Sequence, residues 1–439
     1  MLKAANLRDS VLIVNCWHDS NKGDAAITTG VLNAIKNAGV ADRVFVASYA
    51  YYNTRESLDF SFRHVVGEHP EATVVQTSLP ALSSSVGKLA SLRLSIRAAC
   101  KLLFPDLLPD TEMETAVRSS RVVVSNGGLY YGFVKANFVG TAYHLFAFSY
   151  PMLLAMRLRV PYVLYAQSFG PFHSWFSRWW MRKLVRHSSG TWARESASKE
   201  TLINMGAPAD KMDVVADAAF GVRPKPRQQK WRSLASLRPQ EYVAISVRSL
   251  GATGHAPEFE RNYRESFQEL IEWIAREKKL KVALVAHTTG PLLEEDDRVT
   301  SRIVYESLAE DAKQQTLLVE EDLSPADLAG LYGDASLVLA TRFHAVVLAL
   351  CGGCPVVAIP YFGLKTQGAL RDLGLEDFVV EVKEITFPLL KAKVETILAG
   401  GNRLRDTISR INREQFQAAM HSGKRLAILA EPPVHEGLS

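Results

Sequence analysis

The sequence predicts an α/β fold built from two doubly wound, Rossmann-like domains. Three observations predict it. Short β-rich runs ending in small or polar residues alternate with segments of helical periodicity. The alternation lapses once, in GVRPKPRQQKWRSLASLRPQ, and then resumes. A chain of 439 residues is long enough for two separate cores. The expected organisation is an N-terminal domain over residues 1–222, a linker over 223–240 and a C-terminal domain over 241–439, whose last helices can pack back on the first domain.

VLIVNCW (11–17) is a continuous apolar run, and AAITTGVLNAIKNAG then shows apolar residues at helical spacing up to a Gly stop. RVFVASY (43–49) is the next strand, whereas residues 50–115 carry the weakest pattern. RVVVSNGG (121–128), PYVLYAQSFG (161–170) and TWARES (191–196) repeat the strand, polar turn and helix order. Beyond the linker come EYVAISVR (241–248), KVALVAHTTG (281–290), TLLVEED (316–322), SLVLATRFHA (336–345) and CPVVAIPYF (354–362). Strands alternating with helices imply parallel pairing, with helices on both sheet faces and ligands in a crevice at the strand C-ends.

Composition narrows the function classes. With 47% hydrophobic and 22% charged residues the chain is neither disordered nor fibrous, and a net charge of +5 falls short of a nucleic-acid signature. Four Cys among apolar neighbours, and an N-terminus (MLKAANLRDS) too short and polar for a signal peptide, give the expectation of a cytoplasmic protein with reduced thiols. ASLVLATRFHAVVLALCGGCPVVAIPYFGL exceeds membrane-spanning length, but it carries Arg342, His344, two adjacent Gly and two Pro, so it reads as strand, helix, strand. CGGC (351–354) has redox or zinc spacing without a partner pair. WFSRWWMRKLVRH (175–187) sets Arg178, Arg182 and Arg186 on one helical stripe, with Phe176, Trp180 and Leu184 on another. Such a helix either packs on the sheet or makes a peripheral contact with the inner face of a membrane.

The residues that can carry chemistry fall at strand ends. SNKGDA joins an apolar run to a helix, where free N–H groups favour anions. There Gly23 allows close backbone approach, while Asn21 and Asp24 either hydrogen-bond sugar hydroxyls or cap the helix. NGGLYYG (126–132) offers Asn126, Gly127 and Gly128 at a second strand end, either for a ligand or for a tight turn. In the C-terminal half, SVRSLG and ATRFHA end two strands with Arg248 and Arg342, and His344 opens the helix AVVLAL. Two guanidiniums beside a helix N-terminus suit bidentate recognition of phosphate or carboxylate, and a His there can move protons near neutral pH. The alternative for each Arg is a structural salt bridge, and for His344 a satisfied core imidazole. GATGHAPEFERNYR (251–264) follows Arg248 as a polar stretch that can act as a loop, with His255 in it. The remaining His are scattered without metal-ligand spacing.

The series NKGDAAI, NGG, AQSFGPF, ARESASKETLINMG, DVVADAAF, ISVRSLG, TRFHAVVLAL and IPYFGLKTQG resembles, in order and spacing, the polysaccharide pyruvyl transferase family over residues 12–375. The resemblance implies a glycosyltransferase-B-like arrangement and transfer of a pyruvyl group from phosphoenolpyruvate to a pair of sugar hydroxyls as a cyclic ketal, with no cofactor. It assigns Arg248, Arg342, Phe343, His344 and Lys365 to the donor. It assigns Asn21, Asp24, Asn126, Gly127, Gly128 and Gln167 to a saccharide acceptor, free or lipid-linked. Phe343 stands where the family more often has Leu, and NGGLYYG replaces a commoner triple-glycine loop.

This chemistry is consistent with the residues, because a donor carrying a phosphate and a carboxylate matches two Arg and a Lys. The second reading is a nucleotide-sugar-dependent glycosyltransferase of similar fold, since fold does not fix function. Such enzymes commonly hold a ribose with paired acids, whereas GLKTQGALRDLGLED presents Lys365 and Arg371 before its acids. A noncatalytic carbohydrate-binding protein is a third reading, which Arg248, Arg342 and His344 together disfavour. Oligomeric state has no signal in the sequence.

Overall fold

The computed structural model describes residues 8–81, 86–132, 137–226, 232–361 and 365–431. The chain divides into two compact units. Unit 1 comprises Met1–Asp19, Ile27–Ala218 and Ala418–Ser439, and unit 2 comprises Ser20–Ala26 and Ala219–Gln417. The division falls just before the expected linker, of which residues 227–231 lie outside the described residues. Ser20–Ala26 is grouped outside the expected 1–222 domain, and the C-terminal end is grouped with unit 1, as the expectation for the last helices allowed. Ser20–Ala26 clusters with unit 2 because its backbone bonds to the 287–289 loop, and residues from Ala418 onward belong to unit 1, where Gly423 packs on the Ala34 backbone.

Unit 1 holds a seven-stranded sheet made of β1 (Ser10–Cys16), β2 (Arg43–Ser48), β3 (Ala72–Val75), β4 (Ser120–Ser125), β5 (Tyr162–Gln167), β6 (Gly190–Ala193) and β7 (Met212–Val214). The order is β3-β2-β1-β4-β5-β6-β7, with every pair parallel. β1 is buried along its whole length, as a strand covered on both faces must be, which is why it reads as an unbroken apolar run. β3 and β7 are short edge elements that the sequence reading did not resolve.

Unit 2 holds a five-stranded parallel sheet of β8 (Tyr242–Ser246), β9 (Lys281–Val285), β10 (Thr316–Val319), β11 (Leu337–Ala340) and β12 (Val356–Ala358), in the order β10-β9-β8-β11-β12. Each sheet has its own buried core. The long apolar stretch folds as β11, the helix Phe343–Cys351 and β12, as read from the sequence. Cys351 and Cys354 are both buried, and burial pushes the Cys354 thiol up to about 12, so Cys354 has no thiolate character.

Candidate functional site

The winding of the second sheet reverses where β8 and β11 lie side by side. In doubly wound sheets ligands bind beyond the strand C-ends at this kind of reversal. Arg248 and Arg342 each follow their strand by two residues. The Thr341 N–H donates to the Ser246 carbonyl at 3.1 Å. Tyr263, on the helix Pro257–Trp273, sets its hydroxyl 2.7 Å from Thr341 Oγ1 and accepts the Arg248 N–H at 3.3 Å. One tyrosine therefore ties the two strand ends together.

The two arginines differ electrostatically. Arg342 donates Nε and Nη2 to Asp297 at 2.7–3.2 Å, and Nη2 also to the Glu295 carbonyl at 2.7 Å. Burial opposes its charge, but the Asp297 carboxylate overrides this and holds the guanidinium above its ordinary pKa. Arg248 is only 3% exposed, donates Nε to the Ser249 carbonyl at 3.1 Å and stands 4.0 Å over the Tyr361 ring. No carboxylate pairs with it among the described residues. Burial first, and Arg342 second, lower its pKa. A buried charge without a paired carboxylate is costly, and a carbonyl and a ring face offset that cost only in part, so Arg248 retains capacity for an anion.

The segment after β1 completes this cluster. Thr289 N–H donates to the Ser20 carbonyl at 2.8 Å, and Lys22 N–H donates to the His287 carbonyl at 3.3 Å. Asn21 Oδ1 accepts the Gly23 N–H at 3.1 Å, at the head of the helix Lys22–Ala38, so the capping role is realised. Asp24 sits in the first turn, half-buried. Lys22 is buried and its Nζ reaches Asp322 at 2.5 Å. Gly23 lies flush against His344, which is half-buried in the first turn of Phe343–Cys351, and the Phe343 and His344 rings stand 5.0 Å apart.

His287, beyond the end of β9, is 1% exposed, and neither ring nitrogen has a partner among the described residues. Burial, then Arg342, His344 and Lys22, depress its pKa well below the usual imidazole value, so the ring is neutral. His255 is engaged locally with Thr253, 3.0 Å away, just before the helix that begins at Pro257.

Unit 1 gathers the remaining sequence candidates at the β1/β4/β5 strand ends. Asn126 Nδ2 donates to Thr28 at 2.9 Å. Gln167 Nε2 donates to Ser125 Oγ at 2.7 Å and to the Asn126 carbonyl at 2.8 Å. Both side chains are buried, and among the described residues each keeps an amide oxygen without a donor. Gly127 packs tightly, since a Cβ there would stand 2.9 Å from the Ala166 carbonyl, while the Gly128 carbonyl accepts the Ser168 N–H at 2.9 Å.

The structure thus brings Asn21, Asp24, Arg248, Arg342, Phe343 and His344 into unit 2, and Asn126, Gly127, Gly128 and Gln167 into unit 1. Lys365 opens the helix Lys365–Asp372, and its side chain lies outside the described ones. Sequence reading missed Lys22, Tyr263, His287 and Asp297. The polar HTTG at a strand end was a usable signal for His287. Nothing in the acidic run EEDDR distinguishes Asp297 as the partner of Arg342.

Two parallel sheets flanked by helices, each with its polar cluster at a winding reversal, define a glycosyltransferase-B-like α/β protein. The fold is shared with HepE of Anabaena, solved with UDP and glucose (14% identity, TM-score 0.52, covering 95% of this chain and 97% of that one). It is also shared with UDP-GlcNAc 2-epimerase of Neisseria meningitidis bound to UDP-GlcNAc (13% identity, TM-score 0.56, covering 96% and 99%). The UDP-GlcNAc 2-epimerase of Methanocaldococcus jannaschii is a third such structure (11% identity, TM-score 0.58, covering 95% and 99%). At these identities the likeness concerns fold alone. The polysaccharide pyruvyl transferase family model matches residues 21–361, and the chain belongs to that family. Amylovoran biosynthesis protein AmsJ of Erwinia amylovora is 24% identical over 269 residues, 59% of this chain, and the match spans 63% of the length of that curated relative.

Proposed function

We propose that the protein transfers a pyruvyl group from phosphoenolpyruvate to two hydroxyls of a saccharide, forming a pyruvate ketal on a polysaccharide or its precursor. Family membership supports the reaction class. The observation that carries the donor assignment is Arg248, a buried guanidinium that among the described residues has no paired carboxylate, beside the Arg342–Asp297 pair.

In this reading Arg248 takes one anionic group of the donor, and Arg342, through the Nη1 that Asp297 leaves uncommitted, contributes to the other. Lys365 adds charge from the head of its helix. His344 serves as the proton-transfer group. The donor methylene gains one proton and becomes a methyl group, and the oxocarbenium-like carbon is attacked by the first hydroxyl. Phosphate leaves, the second hydroxyl closes the ketal, and the two hydroxyl protons balance those taken up by the methyl group and the departing phosphate. The chemistry needs an acid and an anion clamp, both available from side chains, and no cofactor.

Asn21, Asp24, Asn126, Gly127, Gly128 and Gln167 are the proposed acceptor residues. The amide oxygens of Asn126 and Gln167, which have no donor among the described residues, suit hydroxyl donors. The test is product analysis with candidate glycans. Phosphoenolpyruvate should yield inorganic phosphate and a pyruvyl-ketal mass gain. A hexose gain from a nucleotide sugar instead would establish the glycosyltransferase reading.

A further inference from the structure

Three neighbouring helices of unit 1, Lys88–Leu103, Phe138–Arg157 and Trp175–His187, back onto the same core, the middle one packing against both others. Phe138–Arg157 is long and apolar enough to cross a membrane by length and composition, yet its middle is buried against that core, so it is a core helix. The outward face of this layer is unusual. On Lys88–Leu103 the residues Leu89, Leu92, Ile96 and Leu103 recur at helical spacing and are 56–69% exposed. A helix normally turns such a stripe inward. At the heads of the other two helices Phe138, Val139 and Trp175 are 62–76% exposed, and Phe138 packs on Phe176 with ring centroids 5.1 Å apart.

The charge on these helices is one-sided. None of the three carries an Asp or Glu. Exposed cations lie among the apolar groups, including Lys88, Arg93, Arg157, Arg182, Lys183 and Arg186. The whole chain is nearly balanced, with 51 Lys plus Arg against 46 Asp plus Glu, so the layer is a local concentration of positive charge. Between the last two helices there is also a cavity of about 260 Å³ lined by Leu153, Met156, Trp179, Trp180 and Leu184, with Lys183 and His187. Lys183 stands 4.6 Å over the Trp179 ring.

We propose that this three-helix face seats unit 1 on an anionic lipid bilayer, with the leucines and aromatics entering the interfacial region and the Lys and Arg side chains meeting lipid phosphates. Amphipathic aromatic rings prefer the headgroup level, and basic side chains around them add electrostatic attraction. An apolar cavity opening among these groups can admit part of an acyl chain. A protein partner without a strongly acidic surface would leave unexplained why acids are missing from all three helices.

The experiment uses the full chain and sedimented vesicles of phosphatidylcholine alone or mixed with phosphatidylglycerol. The protein should partition onto the mixed vesicles at least about tenfold better than onto the neutral ones, and less as salt is raised. Tryptophan emission should shift to the blue and be quenched by brominated acyl chains. The triple variant Leu89→Ser, Leu92→Ser, Trp175→Ser and the charge variant Arg182→Glu, Lys183→Glu, Arg186→Glu should each lose binding by about tenfold or more with an unchanged melting transition, because all six side chains are exposed. Absence of binding to any vesicle would overturn the proposal. So would a wild-type self-association that the triple variant abolishes while vesicle binding is unaffected.

Discussion

Gly23 packs so close to His344 that a β-carbon at residue 23 would stand 2.5 Å from the imidazole Nδ1. The contact fixes the ring from the side of the segment after β1, and it explains why the NKGD stretch needs a glycine where a helix begins. A Gly→Ala change near a helix start ordinarily gains up to about 1 kcal/mol. Here overpacking should reverse the sign, costing about 1–3 kcal/mol. Displacement of His344 should lower turnover by roughly 10²-fold, with donor affinity changing less. Melting, steady-state rates and donor titration of Gly23→Ala check this, and a more stable, fully active variant would contradict it.

Arg248 and Arg342 should respond oppositely in stability. Arg248→Ala removes a buried charge that has no carboxylate partner among the described residues, so its melting temperature should stay level or rise. Arg342→Ala leaves Asp297 buried and short of its main partner, which should cost about 3–5 kcal/mol. Adding Asp297→Ala to Arg342→Ala should recover part of that loss. Denaturant unfolding of the four proteins reads the difference, and equal destabilisation by both Arg variants would contradict the electrostatic distinction.

His287 gives the stability a pH dependence of known sign. Its folded pKa is depressed by burial, then by Arg342, His344 and Lys22, while the unfolded chain titrates near 6.5. Below that pH the unfolded state binds a proton that the native state refuses. The native state should therefore lose about 1 kcal/mol per pH unit as pH falls from 6.5, and none of this above it. His287→Leu should flatten the acid side of a melting-temperature profile between pH 6.5 and 5, and an unchanged slope would show that the imidazole is not held neutral.

The parallel sheets were legible because strands buried on both faces must be apolar along their length, as β1, β8 and β11 are. The placement of Arg248, Arg342 and His344 together at strand ends was legible because polar groups interrupt otherwise apolar runs there, and for Arg342 the salt-bridge alternative is realised with Asp297. Pairing partners were not legible, because they come from distant loops. Asp297 lies 45 residues before Arg342, and Asp322 lies 300 after Lys22. The exposed leucine stripe of Lys88–Leu103 sits in the region of weakest pattern, where periodicity alone cannot say which way a stripe faces. The capping role of Asn21 was one of two readings that local sequence left open, and the hydrogen bond to the Gly23 N–H is local enough to have been expected.

The most direct test of the donor site is calorimetric titration of phosphoenolpyruvate into the wild-type protein and the Arg248→Ala and Arg248→Lys variants, with UDP-glucose as the competing ligand. Arg248 should supply charge-assisted hydrogen bonds worth roughly 1.5–3 kcal/mol, so Arg248→Ala should bind phosphoenolpyruvate at least about tenfold more weakly. Arg248→Lys should recover only part of the affinity, because it keeps the charge without the planar fork. UDP-glucose should give no saturable heat. Wild-type affinity for phosphoenolpyruvate in Arg248→Ala, or saturable binding of UDP-glucose with none of phosphoenolpyruvate, would contradict the account.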